Sequence, residues 1–462
     1  MKGRHSKSSK HSGIKIIISI IVVAVIIAGC YFVLKPKDNN TVTIPNDTKT
    51  LTGQIVTTGD QVVRVRLDNN KEYLLSTSSI KLGKKKLLAG NTIKVTYTGK
   101  LDNSNNDIQS IKLYKLSTSS ILLSNVGSNK KVTQALSDTL KDMSLEEKVA
   151  QLMMVRCPDN DQTQFVVDNQ PGGYILFGQD FEDKSEDEVI SNISSYQTKS
   201  KIKMFIGTDE EGGSVDRLKS LYPRTFKSPQ TIYNNGGMEA IINDTKNKAE
   251  VLKRLGLNIN FAPVCDVSTS TNDFINSRSF GKGASETSEY VKNVVSTNNQ
   301  NKMGSVLKHF PGYGSNGDSH TSVIKDAKAL SEFESTDFVP FKAGIKAGAN
   351  MVLVAHNIME AVDSTNPASL SSKVHDILRN EMNYNGIIIT DDLMMEGVRA
   401  LDSDANNAVK AIQAGNDMIL ASNAKVQMQA IIDACNNGSI SINQIDKSVL
   451  RILSYKTYLG II

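Results

Sequence analysis

The sequence predicts an α/β protein built on a (β/α)8, TIM-type barrel, preceded by a membrane anchor and a small all-β module. Three observations carry this expectation. Apolar β-type runs alternate with helical stretches across residues 134–462, a shorter segment at 51–116 holds only brief β-rich runs, and the chain begins with a basic tail followed by an uncharged apolar run. Near-continuous apolar strands separated by helices belong to a parallel sheet covered on both faces.

In chain order, Lys2, Arg4, Lys7, Lys10 and Lys15 form a basic tail, residues 1–15, ahead of the apolar run Ile16–Leu34 of 19 residues. That length crosses a hydrocarbon core of roughly 30 Å as a helix. The basic flank predicts an inside amino terminus and an extracytoplasmic body. A second reading stays open, because Ile27-Ala28-Gly29-Cys30 resembles a bacterial lipoprotein signal in which Cys30 carries the lipid, although Tyr31–Leu34 continue the apolar run. Either way the body is tethered to the cell membrane. Residues 35–50, rich in Asn, Lys and Thr, are expected to be a solvated tether.

Between 51 and 116 five β-rich runs, Thr52–Thr57, Val62–Leu67, Glu72–Leu75, Thr92–Thr98 and Ile108–Tyr114, are separated by Gly, Asn and Asp turns. They predict a small barrel or sandwich, OB-like at best, acting as a spacer or a wall-binding module. A polar linker at 117–133 follows. Ser144-Leu145-Glu146-Glu147 is a capping box, which starts a helix expected to run through Met154. The remaining apolar runs, Tyr174–Phe177, Met204–Ile206, Ile259–Ala262, Ser305–Leu307, Met351–Val354, Ile387–Ile389 and Met418–Leu420, supply seven barrel strands and leave an eighth unplaced.

Composition narrows the function. The formal charge is +5, but residues 1–40 hold seven Lys/Arg against one Asp, so the rest of the chain is near −1 and gives no electrostatic footprint for nucleic acid. The four cysteines, Cys30, Cys157, Cys265 and Cys435, show neither CxxC nor metal-ligand spacing. No phosphate-binding glycine loop follows any strand, which weakens nucleotide binding. No cofactor or metal is expected.

In a parallel barrel the chemistry gathers at the carboxyl ends of the strands. After Phe205-Ile206 comes Gly207-Thr208-Asp209-Glu210-Glu211-Gly212-Gly213, and after Val306-Leu307 comes Lys308-His309-Phe310-Pro311-Gly312-Tyr313-Gly314. After Ile387–Ile389 comes Thr390-Asp391-Asp392-Leu393-Met394. Carboxylates beside a Lys/His pair suit hydroxyls, which donate and accept hydrogen bonds at once.

From about Met143 onward the chain resembles glycoside hydrolase family 3, in its β-N-acetylglucosaminidase branch. The sharpest stretch is Lys308-His309-Phe310-Pro311-Gly312-Tyr313-Gly314-Ser315-Asn316-Gly317-Asp318-Ser319-His320. The resemblance implies an exo-acting, retaining β-N-acetylhexosaminidase of peptidoglycan-derived fragments. It implies His320 as general acid/base with Asp318 as its partner, Asp391 as nucleophile, and Asp209, Arg217, Arg278, Lys308 and His309 as sugar-binding residues. Asp392 is expected to be a cap or scaffold, and His356 is a candidate pocket residue. Two positions depart from the family pattern: Tyr313 stands where a His is usual between two glycines, and Ser214 where an Arg is common.

These residue types fit the chemistry. An ionised Asp391 attacks the anomeric carbon to leave a covalent glycosyl-enzyme, with Lys308 expected to favour its charge. An imidazole, with an ordinary pKa of about 6.5, moves protons near neutrality. A neutral His does not repel phosphate, so phosphate is admitted as an alternative acceptor to water.

The competing readings are a β-glucosidase, a metal-dependent barrel hydrolase and a non-catalytic wall-binding protein. The first needs a carboxylate acid/base on a further domain, for which no room is expected after the last helix around 444–458. The second needs a His-x-His pair, and the third makes no use of Asp391 and His320.

Overall fold

A computed structural model describes residues 48–58, 62–67, 71–76, 92–98, 107–113, 129–223, 226–319 and 321–462. The expected basic tail, the apolar run Ile16–Leu34, Cys30 and most of the two polar connectors lie outside these residues, as does His320. Among the described residues no helix is long and apolar enough to cross a membrane. The chain divides into two compact units at Tyr114 and Lys115.

The first unit is one antiparallel sheet of β1 (Thr48–Thr58), β2 (Val62–Arg66), β3 (Glu72–Ser76), β4 (Thr92–Thr98) and β5 (Asp107–Leu113), in the order β3-β2-β1-β4-β5. Alternation explains it. Val63 and Val65 are buried while Arg64 points outward, and Ile55, Leu75, Ile93 and Val95 join the same apolar cluster. Arg66 holds Glu72 at 2.8 Å from the neighbouring strand.

The second unit is a closed parallel barrel. Its strands are β6 (Met153–Arg156), β7 (Gly173–Leu176), β8 (Phe205–Thr208), β9 (Ile259–Asn260), β10 (Gly304–Phe310), β12 (Met351–Val354), β14 (Ile387–Asp392) and β15 (Met418–Ala421). A two-stranded parallel pair, β11 (Lys325–Asp326) with β13 (Ile358–Met359), stands outside it. All seven expected strands are present within a few residues. The strand left unplaced is β6, and it corrects the expected helix: the capped helix stops at Gln151 instead of Met154. Leu152-Met153-Met154-Val155 suits either state by composition. Pairing decides, since Met153 and Met154 register with Ile419 and Leu420, and Met154 also with Gly173.

The capping box is formed, with Ser144 Oγ accepting from Glu147 N at 3.2 Å and Glu147 Oε2 accepting from Ser144 N at 3.0 Å. The polar connector is shorter than expected, because Asn129 already caps a helix over Lys130–Asp142. The last helix, Ile442–Leu459, closes the floor of the barrel: its Tyr455 hydroxyl accepts from Ser305 N at 3.2 Å, and its Lys456 reaches Gln151 at 2.8 Å.

Candidate active site

The carboxyl ends of the strands surround a cavity of ≈ 540 Å³. Asp209, Arg217, Arg278, Lys308, His309, Asp318 and Asp391 all line it. β10 runs on to Phe310 and β14 to Asp392, so Lys308, His309, Asp391 and Asp392 lie within strands and not just after them.

The deep wall is an ion cluster. Lys308 is 2% exposed, and its ammonium donates to Asp209 Oδ1 at 2.5 Å and Glu211 Oε1 at 2.6 Å. Arg278 grips the same Glu211 with two parallel bonds, Nε to Oε2 at 3.0 Å and Nη2 to Oε1 at 2.7 Å. Burial by itself would raise the Glu211 pKa, but Lys308 and Arg278 hold it far below the usual carboxylate range. Burial likewise opposes the charge on Lys308, and Asp209 with Glu211 overcome it and raise its pKa. Lys308 and Arg278 on one side and Glu211 on the other therefore favour one another's charged forms in a nearly dry place. Glu211 is buried beneath this layer, whereas Asp209 and Arg217 reach the cavity, 3.7 Å apart.

His309 is fixed by the same layer. Its Nδ1–H donates to Asp266 Oδ2 at 2.8 Å, and its Nε2 lies 3.1 Å from Arg278 Nη2. A guanidinium only donates, so Nε2 is the acceptor in this pair and Nδ1 the donor to Asp266. Asp266 also accepts from the backbone N–H groups of His309 at 3.1 Å and Tyr313 at 2.7 Å.

Across the cavity, Asp391 Oδ1 accepts from Asp392 N at 2.9 Å. Asp392 also lines the cavity, and its carboxylate accepts from Met394 N at 3.0 Å and Ser422 Oγ at 2.9 Å. His356 belongs with it and does not line the cavity. The ring is fully buried, with Nε2–H donating to Asp392 O at 2.9 Å and Nδ1 accepting from Ser369 Oγ at 2.7 Å. Lys308 spends its bonds on Asp209 and Glu211, and it lines the same cavity as Asp391.

Sequence reasoning missed Glu211, Asp266, Arg156 and Phe177. Glu211 stood inside the quoted strand-end segment, where its neighbour Asp209 drew the attention. Asp266 follows β9 and was open to the same strand-end rule. Arg156 ends the strand that was not placed, so nothing flagged it. It lies 4.3 Å over the Phe177 ring and 3.7 Å from Asp392, at the rim of the cavity. Among the described residues no group of three or more His, Cys, Asp or Glu is placed to hold a metal ion. Cys157, Cys265 and Cys435 are buried thiols.

The glycosyl hydrolase family 3 N terminal domain model matches residues 144–455. A β-hexosaminidase of Methylococcus capsulatus is 29% identical over 286 residues, covering 61% of this chain and 84% of that protein. One from Tolumonas auensis is 32% identical over 273 residues, covering 58% and 80%. Among solved structures, a family 3 β-N-acetylglucosaminidase from a Paenibacillus species superposes with a TM-score of 0.65 at 27% identity, over 69% of this chain and 63% of that one. The chain thus spans less than two thirds of that protein. The Mycobacterium tuberculosis protein LpqI superposes with a TM-score of 0.61 at 26% identity, over 67% and 93%.

Proposed function

The chain belongs to glycosyl hydrolase family 3 and is a glycoside hydrolase, and from that premise we propose that it is an exo-acting, retaining β-N-acetylglucosaminidase. One observation carries the reading: Asp391 and Asp318 border the same cavity as the Asp209–Lys308–Arg278 cluster. A carboxylate able to attack thus shares one cavity with groups suited to hydroxyls. The names of the relatives, β-hexosaminidases, support the 2-acetamido sugar.

In the first step Asp391 attacks the anomeric carbon while His320 gives its proton to the glycosidic oxygen. The bond to the leaving group breaks as the ester to Asp391 forms. Asp318 supports the imidazolium that His320 carries before donation. In the second step His320 takes a proton from water, the water oxygen attacks the same carbon, and Asp391 leaves as a carboxylate. Two inversions return the β configuration. Asp209, Arg217, Arg278, Lys308 and His309 hold the terminal sugar, and Glu211 and Asp266 hold those residues.

The natural substrate in this reading is a peptidoglycan-derived fragment, cleaved outside the cytoplasm by an enzyme tethered through Ile16–Leu34 or Cys30. Residues 134–462 form the catalytic domain, and 51–116 a spacer module. The test is p-nitrophenyl β-N-acetylglucosaminide against the matching glucoside, with the anomeric form of the first product read by NMR. Preference for the glucoside, or an α-configured first product, overturns the reading. Membrane fractionation of the intact chain and of Cys30→Ala tests the tether.

A further inference from the structure

Tyr313 departs from the family pattern, and the catalytic chemistry leaves it unused. Its environment is nevertheless highly specified. The side chain is fully buried, with its ring edge-on to His309 at 5.1 Å and to Phe274 at 5.8 Å. Its backbone N–H is held by Asp266, the carboxylate that also fixes His309. The hydroxyl is thus aimed from a rigid root, and it meets Ser319 Oγ at 2.6 Å.

Ser319 is the middle residue of Asp318-Ser319-His320 and is itself fully buried. Its carbonyl is held from the other side, accepting from Gly397 N at 3.0 Å. Gly397 is the second residue of the short helix Glu396–Arg399 that follows the Asp391 strand. A Cβ at 397 would lie 2.8 Å from Ser319 O and 3.3 Å from both Ser319 Cβ and His356 Cβ, so only glycine lets the two backbones approach. His356 in turn donates to Asp392 O. Ser319 therefore sits in a socket with one wall from the sugar-binding layer and one from the Asp391 layer.

We propose that Tyr313 and Gly397 are positioning residues that seat Ser319 and thereby set Asp318 and His320 in register with Asp391 and the bound sugar. This rests on the acid/base role given above to His320. The leaving-group proton travels through His320, so a loosened socket costs most where the leaving group needs that proton. Poor leaving groups depend on it, and a 2,4-dinitrophenolate departs without it.

The test compares Tyr313→Phe with the parent chain on β-N-acetylglucosaminides whose leaving groups span 2,4-dinitrophenol to a sugar alcohol. Loss of one buried hydrogen bond predicts a fall of about tenfold in kcat/KM for the poorest leaving group. The dinitrophenyl substrate stays within about twofold. Inhibition by N-acetylglucosamine is expected to stay unchanged, since the sugar-binding residues are untouched. Adding Ser319→Ala to Tyr313→Phe should cost nothing more, because both remove the same bond. Equal losses on all leaving groups, or no loss, overturn the proposal. Gly397→Ala gives an independent reading from the other wall: it should steepen the leaving-group dependence in the same way, and a uniform loss counts against the proposal. If the parent chain cleaves no β-N-acetylglucosaminide, the functional reading and this proposal fall together. If it does, and Tyr313→Phe keeps the parent's leaving-group slope, only this proposal falls.

Discussion

Among the described residues the two most deeply buried lysines, Lys308 and Lys456, lie at opposite ends of the barrel and are treated in opposite ways. At the mouth, Lys308 lies between Asp209 and Glu211, and burial is overcome so that its pKa rises. At the floor, Lys456 is fully buried against Gln151 Oε1 at 2.8 Å and the Phe205 ring at 5.1 Å, and burial lowers its pKa to about 7. An amide oxygen satisfies one N–H of an ammonium and does not neutralise it. The difference is chemical purpose: at the mouth the fold spends two carboxylates to keep charges where a polar substrate enters, and at the floor it tolerates a cation that it does not need.

The largest effect should come from the mouth's reactive carboxylate. Asp391→Asn keeps the shape and the acceptor for Asp392 N, and removes only the nucleophile. We expect kcat on p-nitrophenyl β-N-acetylglucosaminide to fall by roughly 10⁴-fold, with a Tm within about 2 °C of the parent. A variant that keeps a tenth of the activity would remove Asp391 from the reaction and return the Asp391-Asp392 pair to scaffold.

Next comes the direct challenge to the comparison. Lys308→Met leaves the buried Glu211 facing one cation in place of two, and Asp209 without its near partner. Removing one member of a buried ion cluster costs on the order of 3–5 kcal/mol, read as a lowered urea midpoint, and sugar binding should be lost with it. If Lys308→Met is as stable as the parent, the mouth cluster is no more stabilising than the floor contact, and the contrast drawn above collapses.

How much of this was legible in the sequence depended on whether local chemistry or tertiary pairing decides. The strand ends were legible because an apolar run breaking into charge is a local event, as at Ile206 to Asp209 and Ile389 to Asp391. β6 was not, because Leu152–Val155 continues the apolar texture of the helix before it, and only pairing with β7 and β15 makes it a strand. Its loss hid Arg156 as well. Asp266 was within reach of the strand-end rule but at its limit: β9 is hydrogen-bonded over only two residues, and Asp266 lies six residues past the last of them. The socket around Ser319 required Gly397, a residue whose meaning comes from what lies 2.8 Å from its absent Cβ. No spacing in the chain announces that.

The smallest effect belongs to the floor, and its sign depends on pH. In the folded chain Lys456 loses its proton near pH 7, and in the unfolded chain near the ordinary lysine value of about 10.4. Between those values the unfolded state binds more protons, so stability contributed by this group is gained as pH rises and lost as pH falls toward 7. Lys456→Met removes that dependence and leaves Gln151 Oε1 without its donor, a cost of about 1–3 kcal/mol. Below pH 7 the parent bears the full penalty of the buried cation, which is the larger quantity, so Lys456→Met should be the more stable of the two. Near pH 10 the penalty has nearly gone and only the Gln151 loss remains, so the order should reverse. Urea midpoints at pH 6, 8 and 10 read this crossing directly. Activity should follow the parent throughout, because the floor touches no substrate. Parallel stability curves for the two proteins would mean that Lys456 keeps its proton across the range, and that the floor solves the burial of a lysine as well as the mouth does.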